Sequence, residues 1–238
     1  TMDRQAILAV SFGTSHFDTL EKTIAAIEAE LAAAFPERTL RRAFTSGMIL
    51  RKLEREGTHI DDVPQALERL AAEGYHDVVV QPTHILNGDE YDKLMAQAAT
   101  FAGRFARLAF GKPLLTAEAD YRALADALLS DLPGPSEDAA VLYMGHGTGH
   151  YANAAYTQLE YLLHDLGRRD IVIGTVEGYP GFDEALRRLK ADRGWRRESS
   201  GQAVADLRPA AKELKWLSPL RFLPPVVMDL VPLHYLSL

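Results

Sequence analysis

A chain of 238 residues with no cysteine and a formal net charge of −7 can bury one large α/β core or two smaller ones. The lack of Cys excludes a disulfide framework, a thiolate metal site and a cysteine nucleophile, leaving His, Asp and Glu to bind any metal. The acidic balance argues against nucleic acid as a partner, no apolar run is long enough to span a membrane, and with no n-region or h-region before the first strand the chain is expected to be cytoplasmic.

Short apolar β-type runs alternate with segments of helical period, the pattern of βαβ units around mostly parallel sheets. Ala6–Ser11 reads as the first strand. A helix follows from about Asp18, with Asp18 and Glu21 at capping-box spacing and Leu20, Ile24, Ile27 and Leu31 in one stripe. Leu40–Thr45 reads as a strand, and the cations Arg41, Arg42, Arg51, Lys52 and Arg55 around it form a cluster suited to an anionic small molecule. A helix at Pro64–Glu73 stopped by Gly74, a strand at Asp77–Gln81, a helix from about Glu90, a strand near Leu108 and a helix at Asp120–Leu129 follow.

Pro133-Gly134-Pro135-Ser136 is the best hinge candidate, so an N-terminal lobe is expected over 1–132, a hinge over 133–138 and a C-terminal lobe over 139–238. Beyond the hinge the pattern restarts: strand Ala139–Met144, helix Tyr156–Leu166, strand Ile171–Thr175 and helix Phe182–Leu189. The first strand of each half runs into a related turn, Ser11-Phe12-Gly13-Thr14-Ser15-His16 and Gly145-His146-Gly147-Thr148-Gly149-His150, which points to internal duplication. Ligands of open parallel sheets bind beyond the carboxyl ends of strands, so two such lobes facing each other would bring these turns to one cleft.

Three strand-end stretches carry chemistry. In Gly145–His150 a histidine flanked by glycines is exposed to a ligand that can approach the backbone; its spacing is not GxGxxG and it carries no P-loop Lys, which discounts nucleotide binding. Glu177, in Thr175-Val176-Glu177-Gly178-Tyr179-Pro180, offers a carboxylate from the neighbouring strand end; with His146 it makes a partial ligand set for a divalent metal, the alternative being a cap for the next helix. In the third, Gln81–Tyr91, His84, Asp89 and Glu90 could supply a general acid or base, although Asp89 also suits a helix N-terminus and His84 could equally be a core histidine. No Gly-x-Ser-x-Gly elbow or His-Glu-x-x-His helix is present; His150 reads as a helix-start or surface residue rather than a ligand, and His16, His59, His76 and His164 are assigned no role.

These stretches, with Val10–Ser15, Arg42–Ile49 and Met144–Gly147, resemble in consistent order the anaerobic sirohydrochlorin cobaltochelatase family of cobalamin biosynthesis, a relative of the class II tetrapyrrole chelatases. The resemblance runs from about Ile7 to Leu189. It implies two similar α/β lobes, each with a parallel sheet flanked by helices, holding a sirohydrochlorin-type tetrapyrrole in the cleft between them. It also implies insertion of Co(II) as substrate metal, with Fe(II) or Ni(II) as alternatives and no organic cofactor. His146 matches the family's metal ligand and proton acceptor, Glu177 its carboxylate ligand, and Glu90 an acidic residue across the cleft. Ser11, Phe12, Gly13, Thr14, His84, Gly88, Met144 and Gly145 are the expected substrate contacts.

The family's third ligand, a second His in an apolar-Val-Ala-Gly-Asp-His pattern after the helix near Leu189, has no counterpart. The chain reads instead Gly194-Trp195-Arg196-Arg197-Glu198-Ser199-Ser200-Gly201 and closes with an apolar, Pro-containing tail over Leu217–Leu238. The alternatives are a divergent or frameshifted tail that impairs the metal site, His234 entering from a new direction, or His84 or water completing the coordination. An impaired site would leave a tetrapyrrole or metal carrier in place of an enzyme, and the apolar tail admits a homo-oligomer.

Overall fold

The computed structural model of the chain describes residues 4–130, 132–135 and 139–192, and the backbone of 231–237. Contacts divide it into two compact units, Thr1–Thr116 and Ala117–Leu238. The first holds strands β1 (Gln5–Ser11), β2 (Thr39–Phe44), β3 (Asp77–Pro82) and β4 (Arg107–Phe110). Its helices are α1 (Phe17–Lys22), α2 (Ile24–Ala34), α3 (Gly47–Arg55), α4 (Val63–Ala72) and α5 (Asp89–Ala99). The sheet is parallel, in the order β2-β1-β3-β4.

Its central strand, Gln5-Ala-Ile-Leu-Ala-Val-Ser11, is apolar at almost every position because both faces are covered, as a parallel sheet requires. Leu8 and Val10 pack with Leu67 and Leu70 of α4 and Leu94 of α5. Ile7, Ile24, Phe44, Ile49 and Leu53 are also buried.

Most elements lie where the periodicity puts them, but the expected capping box does not form. The helix starts one residue earlier, with His16 at its cap and no side-chain cap bond, and breaks at Thr23, whose hydroxyl turns back to the Thr19 carbonyl. Such back-bonding diverts a Thr side chain into the preceding turn. By contrast, α4 has a complete capping box between Asp62 and Gln65. Helix α3 went unread in the sequence because its apolar set is short: only Ile49 and Leu53 are buried.

The second unit contains α6 (Glu118–Ser130), β5 (Ala139–Gly147), α7 (Ala154–Asp165), β6 (Ile171–Glu177), α8 (Phe182–Asp192) and β7 (Val231–Ser237). Its sheet has the order β6-β5-β7, with β6 parallel and β7 antiparallel to β5. Leu142, Met144 and Val172 pack with Ala185, Leu186 and Leu189 of α8, while Tyr156, Leu159 and Leu163 of α7 are buried as well. The chain is therefore α/β with parallel strand pairs flanked by helices in each unit, and the antiparallel β7 is the departure from the expected pattern. The division at Thr116/Ala117 also assigns α6 to the second unit, ahead of the hinge expected at 133–138.

The suspected duplication has local structural support. Gly13 and Gly147 both have positive φ, 103° and 76°. Three residues beyond each lies a repeated contact: His16 N–H donates to Thr14 Oγ1 at 3.1 Å and His150 N–H to Thr148 Oγ1 at 3.1 Å. Phe12 thus stands in the first unit where His146 stands in the second.

Candidate functional site

The register of β5 and β6 sets Gly145 against Thr175 and Gly147 against Glu177, so His146 and Glu177 leave the sheet together at its carboxyl end. β6 is buried through Thr175 and becomes exposed at Val176 and Glu177. His146 Nε2 and Glu177 Oε2 lie 3.9 Å apart, with side chains 53% and 56% exposed. That separation is too long for a hydrogen bond. A shared divalent ion with bonds of about 2.1 Å would draw the two atoms to roughly 3.0–3.4 Å. Rotation of two exposed side chains supplies that closure without moving the backbone.

The backbone under the pair is tightly fixed. A Cβ on Gly147 would fall 1.6 Å from the Glu177 carbonyl oxygen, so the two strand ends touch where only a hydrogen fits. The Gly147 N–H points to the Tyr156 hydroxyl at 3.5 Å. Asn153 then clamps the loops that follow: its Oδ1 accepts from Thr148 N–H at 3.0 Å and its Nδ2 donates to the Tyr179 carbonyl at 2.6 Å. Sequence reading missed Asn153. The one available signal was an Asn at the N-cap position of α7, whose side chain makes no cap bond and is spent on the two loops instead. Glu177 is no helix cap either, because the Gly181 N–H ahead of α8 is taken by Glu184. His150 behaves as a turn residue, its Nδ1 accepting from Ala152 N–H at 3.1 Å.

The remaining expected contacts separate by burial. Phe12 is 46% exposed, and Gly13 and Thr14 are partly exposed beside it. Ser11 is only 2% exposed, its hydroxyl joined to Thr83 Oγ1 at 2.7 Å, and Met144 sits in the core against α8. Both are the inward residues of strands whose next residue points out. Gly88 and Gly145 are likewise buried. Glu90 lies in the first turn of α5 and is paired with Lys93 Nζ at 2.8 Å.

His84 is neither satisfied in the core nor presented to solvent. Its carbonyl is held by Leu114 N–H, yet both ring nitrogens are buried without a partner. Burial holds the imidazole below its usual pKa, with nearby Glu90 opposing in part. The folded protein therefore binds this proton less readily than the unfolded chain. Its stability is retained above about pH 6.5 and falls as pH drops through the unfolded value. Thermal melts between pH 7.5 and 5.5 are expected to show a loss of stability that is shallower in His84→Gln; parallel curves would contradict it.

Among the described residues no three His, Asp or Glu side chains gather into a metal cluster, so the pair of His146 and Glu177 is the candidate centre. For β7 the backbone register alone is described. The register pairs Tyr143 with Pro232 and Val141 with Tyr235, which sets His234 about four residues down the strand from His146, roughly 13 Å at 3.3 Å per residue. The Gly194–Gly201 stretch lies outside the described residues.

Comparison with known proteins bears directly on this centre. The cobalt chelatase (CbiK) family matches residues 5–196, a span that includes His146, Glu177 and Glu90 and ends before the apolar tail. The sirohydrochlorin cobaltochelatase of Salmonella typhimurium strain LT2 is 46% identical over 188 residues, covering 79% of this chain and 71% of that protein. Sirohydrochlorin cobaltochelatase CbiKC of Nitratidesulfovibrio vulgaris strain Hildenborough is 34% identical over 192 residues, 79% of this chain and 67% of its own length. A parallel strand pair with a histidine and a carboxylate on its adjoining ends, in a chain matched over this length, places the chain in the cobalt chelatase (CbiK) family.

Proposed function

We propose that the chain inserts Co(II) into sirohydrochlorin, forming metal–nitrogen bonds while the macrocycle gives up two N–H protons. The observation that carries this reading is the pairing of His146 with Glu177 at 3.9 Å on adjacent strand ends, in a chain whose relatives are named for this reaction. As substrate, Co(II) docks on His146 Nε2 and a Glu177 oxygen, and water fills its remaining positions. Two exposed ligands hold an ion loosely enough to pass it on, whereas a closed set of four would trap it.

When the metal moves to the ring nitrogens, the Nε2 lone pair is freed and accepts one of the departing protons, as a neutral imidazole can near neutral pH. Glu90, ion-paired with Lys93 Nζ at 2.8 Å, takes the other proton in this scheme. Phe12, Gly13 and Thr14 on the exposed turn after β1 supply apolar and backbone contact for the flat ring, and the partly exposed backbone there allows close approach. Ser11 is buried beneath that turn in the first unit, and Met144 is buried in the core of the second.

The test is metallation followed by absorbance: metal-free sirohydrochlorin plus Co(II), with and without the purified protein, under anaerobic conditions. A protein-dependent rate that saturates in both substrates is expected. A chain that binds the tetrapyrrole yet leaves the rate at the uncatalysed value would be a carrier. Running Fe(II) and Ni(II) in parallel ranks the metals, because a His and carboxylate pair accepts all of them in an order set largely by the ion.

A further inference from the structure

Helix α3 carries a feature the proposed chemistry leaves unused. Met48, Arg51, Lys52 and Arg55 stand at spacings of three, four and seven residues, so they share one face, while Ile49 and Leu53 on the other side are buried. The helix begins at the carboxyl end of β2, and the Ser46 N–H ahead of it donates to the Phe12 carbonyl at 3.1 Å. Met48, 62% exposed, and Phe12 are thus both exposed apolar side chains at the strand ends of this unit.

The cations around β2 are not equivalent. Arg41 is committed to Glu73 and Arg42 to the buried Glu28. Lys52 reaches the β1–α1 loop, donating to Ser15 Oγ at 3.0 Å, and Arg55 donates to the Arg51 carbonyl. Arg38, Arg69, Arg104 and Arg107 are paired with Asp or Glu elsewhere in the unit, and Arg4 bonds to Tyr75 and a backbone carbonyl. Arg51 is the one arginine of this unit whose guanidinium has no hydrogen-bond or ion-pair partner among the described residues. It also folds back over the first turn of its helix, with Nη1 3.3 Å from where a Cβ on Gly47 would lie, which puts the charge at the strand ends rather than out along the helix.

We propose that Arg51 is a specificity-determining residue that takes a peripheral carboxylate of the tetrapyrrole while Phe12 and Met48 lie against its apolar ring. The inference rests on sirohydrochlorin as the substrate, and it goes beyond that reading by assigning the recognition of its anionic rim. An apolar patch bordered by a planar, unpaired cation complements a flat macrocycle fringed with acetate and propionate groups, and a guanidinium fork suits a carboxylate better than an ammonium does. Lys52 holds the β1–α1 loop beside it and so acts as a positioning residue.

Equilibrium binding of metal-free sirohydrochlorin, followed by its own absorbance, tests this without requiring turnover. Arg51→Gln is expected to raise Kd roughly five- to tenfold, Arg51→Lys to lose less, and Arg104→Gln, a paired surface control, to leave Kd unchanged. In the metallation assay the same Arg51→Gln variant should raise the KM for sirohydrochlorin and leave both kcat and the KM for Co(II) within about twofold. Added salt should weaken binding less in Arg51→Gln than in the parent. Equal Kd for parent and Arg51→Gln, or equal loss in Arg104→Gln, would overturn the assignment of Arg51. A parent that binds sirohydrochlorin in an Arg51-dependent way but never metallates it would refute the chelatase reading alone.

Discussion

His146→Ala is expected to lower the rate of cobalt insertion into sirohydrochlorin at least a hundredfold, on the order of what losing a positioned acid–base group costs, while leaving the fold intact. The side chain is more than half exposed and makes no hydrogen bond under 3.5 Å with its neighbour, so its removal opens no cavity and strands no buried partner. The substitution removes both proposed functions at once: the nitrogen that would hold the ion before transfer and the base that would collect the proton after it. Glu177→Gln separates them, because it weakens metal docking and leaves the base in place. Its defect should therefore be partly rescued by raising Co(II), whereas that of His146→Ala should not. A His146→Ala protein that metallates at the parent rate would sink the proposed centre, and isothermal titration of Co(II) against the same proteins gives an independent reading of the docking step.

Gly147→Ala should damage the protein itself. The new Cβ would overlap the Glu177 carbonyl oxygen, 1.6 Å away, and approach the Thr175 Cβ at 2.7 Å. Neither belongs to a flexible side-chain end that can swing aside. The φ of 76° adds a penalty that an L side chain seldom meets elsewhere. Left-handed strain of about 1–2 kcal/mol and overpacking of about 1–3 kcal/mol together predict a loss of roughly 2–5 kcal/mol. Because the clash is with the residue that carries the carboxylate, cobalt affinity should fall as well in whatever fraction stays folded. Denaturant unfolding reads the first effect; an unchanged midpoint would mean that the two strand ends are not in contact as described. Gly149→Ala is the matching control, since a Cβ there meets nothing within 4 Å.

How far this molecule could be read from its sequence depended on what kind of physics fixed each part. β1 and β6 were legible because strands buried on both faces write near-continuous apolar runs. His146 and Glu177 were legible because each follows such a run by a residue or two, where alternation must point outward. α3 was not, since two inward residues in nine give too little period, and with it went the separation of Arg51 from Arg41 and Arg42, whose carboxylate partners sit 32 and 14 positions away in sequence. Asn153 was invisible for a similar reason: its two bonds join loops that follow different strands. The burial of Ser11 and Met144, beside the exposed Phe12 and close to the exposed His146, was not legible, because a step of one residue in a strand exchanges surface for core. β7 could not be foreseen from a tail with prolines and poor alternation, because its pairing with β5 is set by an open slot in the sheet rather than by its own pattern.

That slot has a bearing on solubility. Without β7, β5 would form a sheet margin, presenting a column of unpaired amide and carbonyl groups to any other extended chain, the template on which edge-to-edge aggregation starts. β7 moves the margin one strand outward, to a segment whose Pro232, paired with Tyr143, has no N–H to offer a further strand. The strand that carries His146 is thereby kept in the interior of its sheet, and the strand at the border is a sequence poorly suited to recruiting another copy.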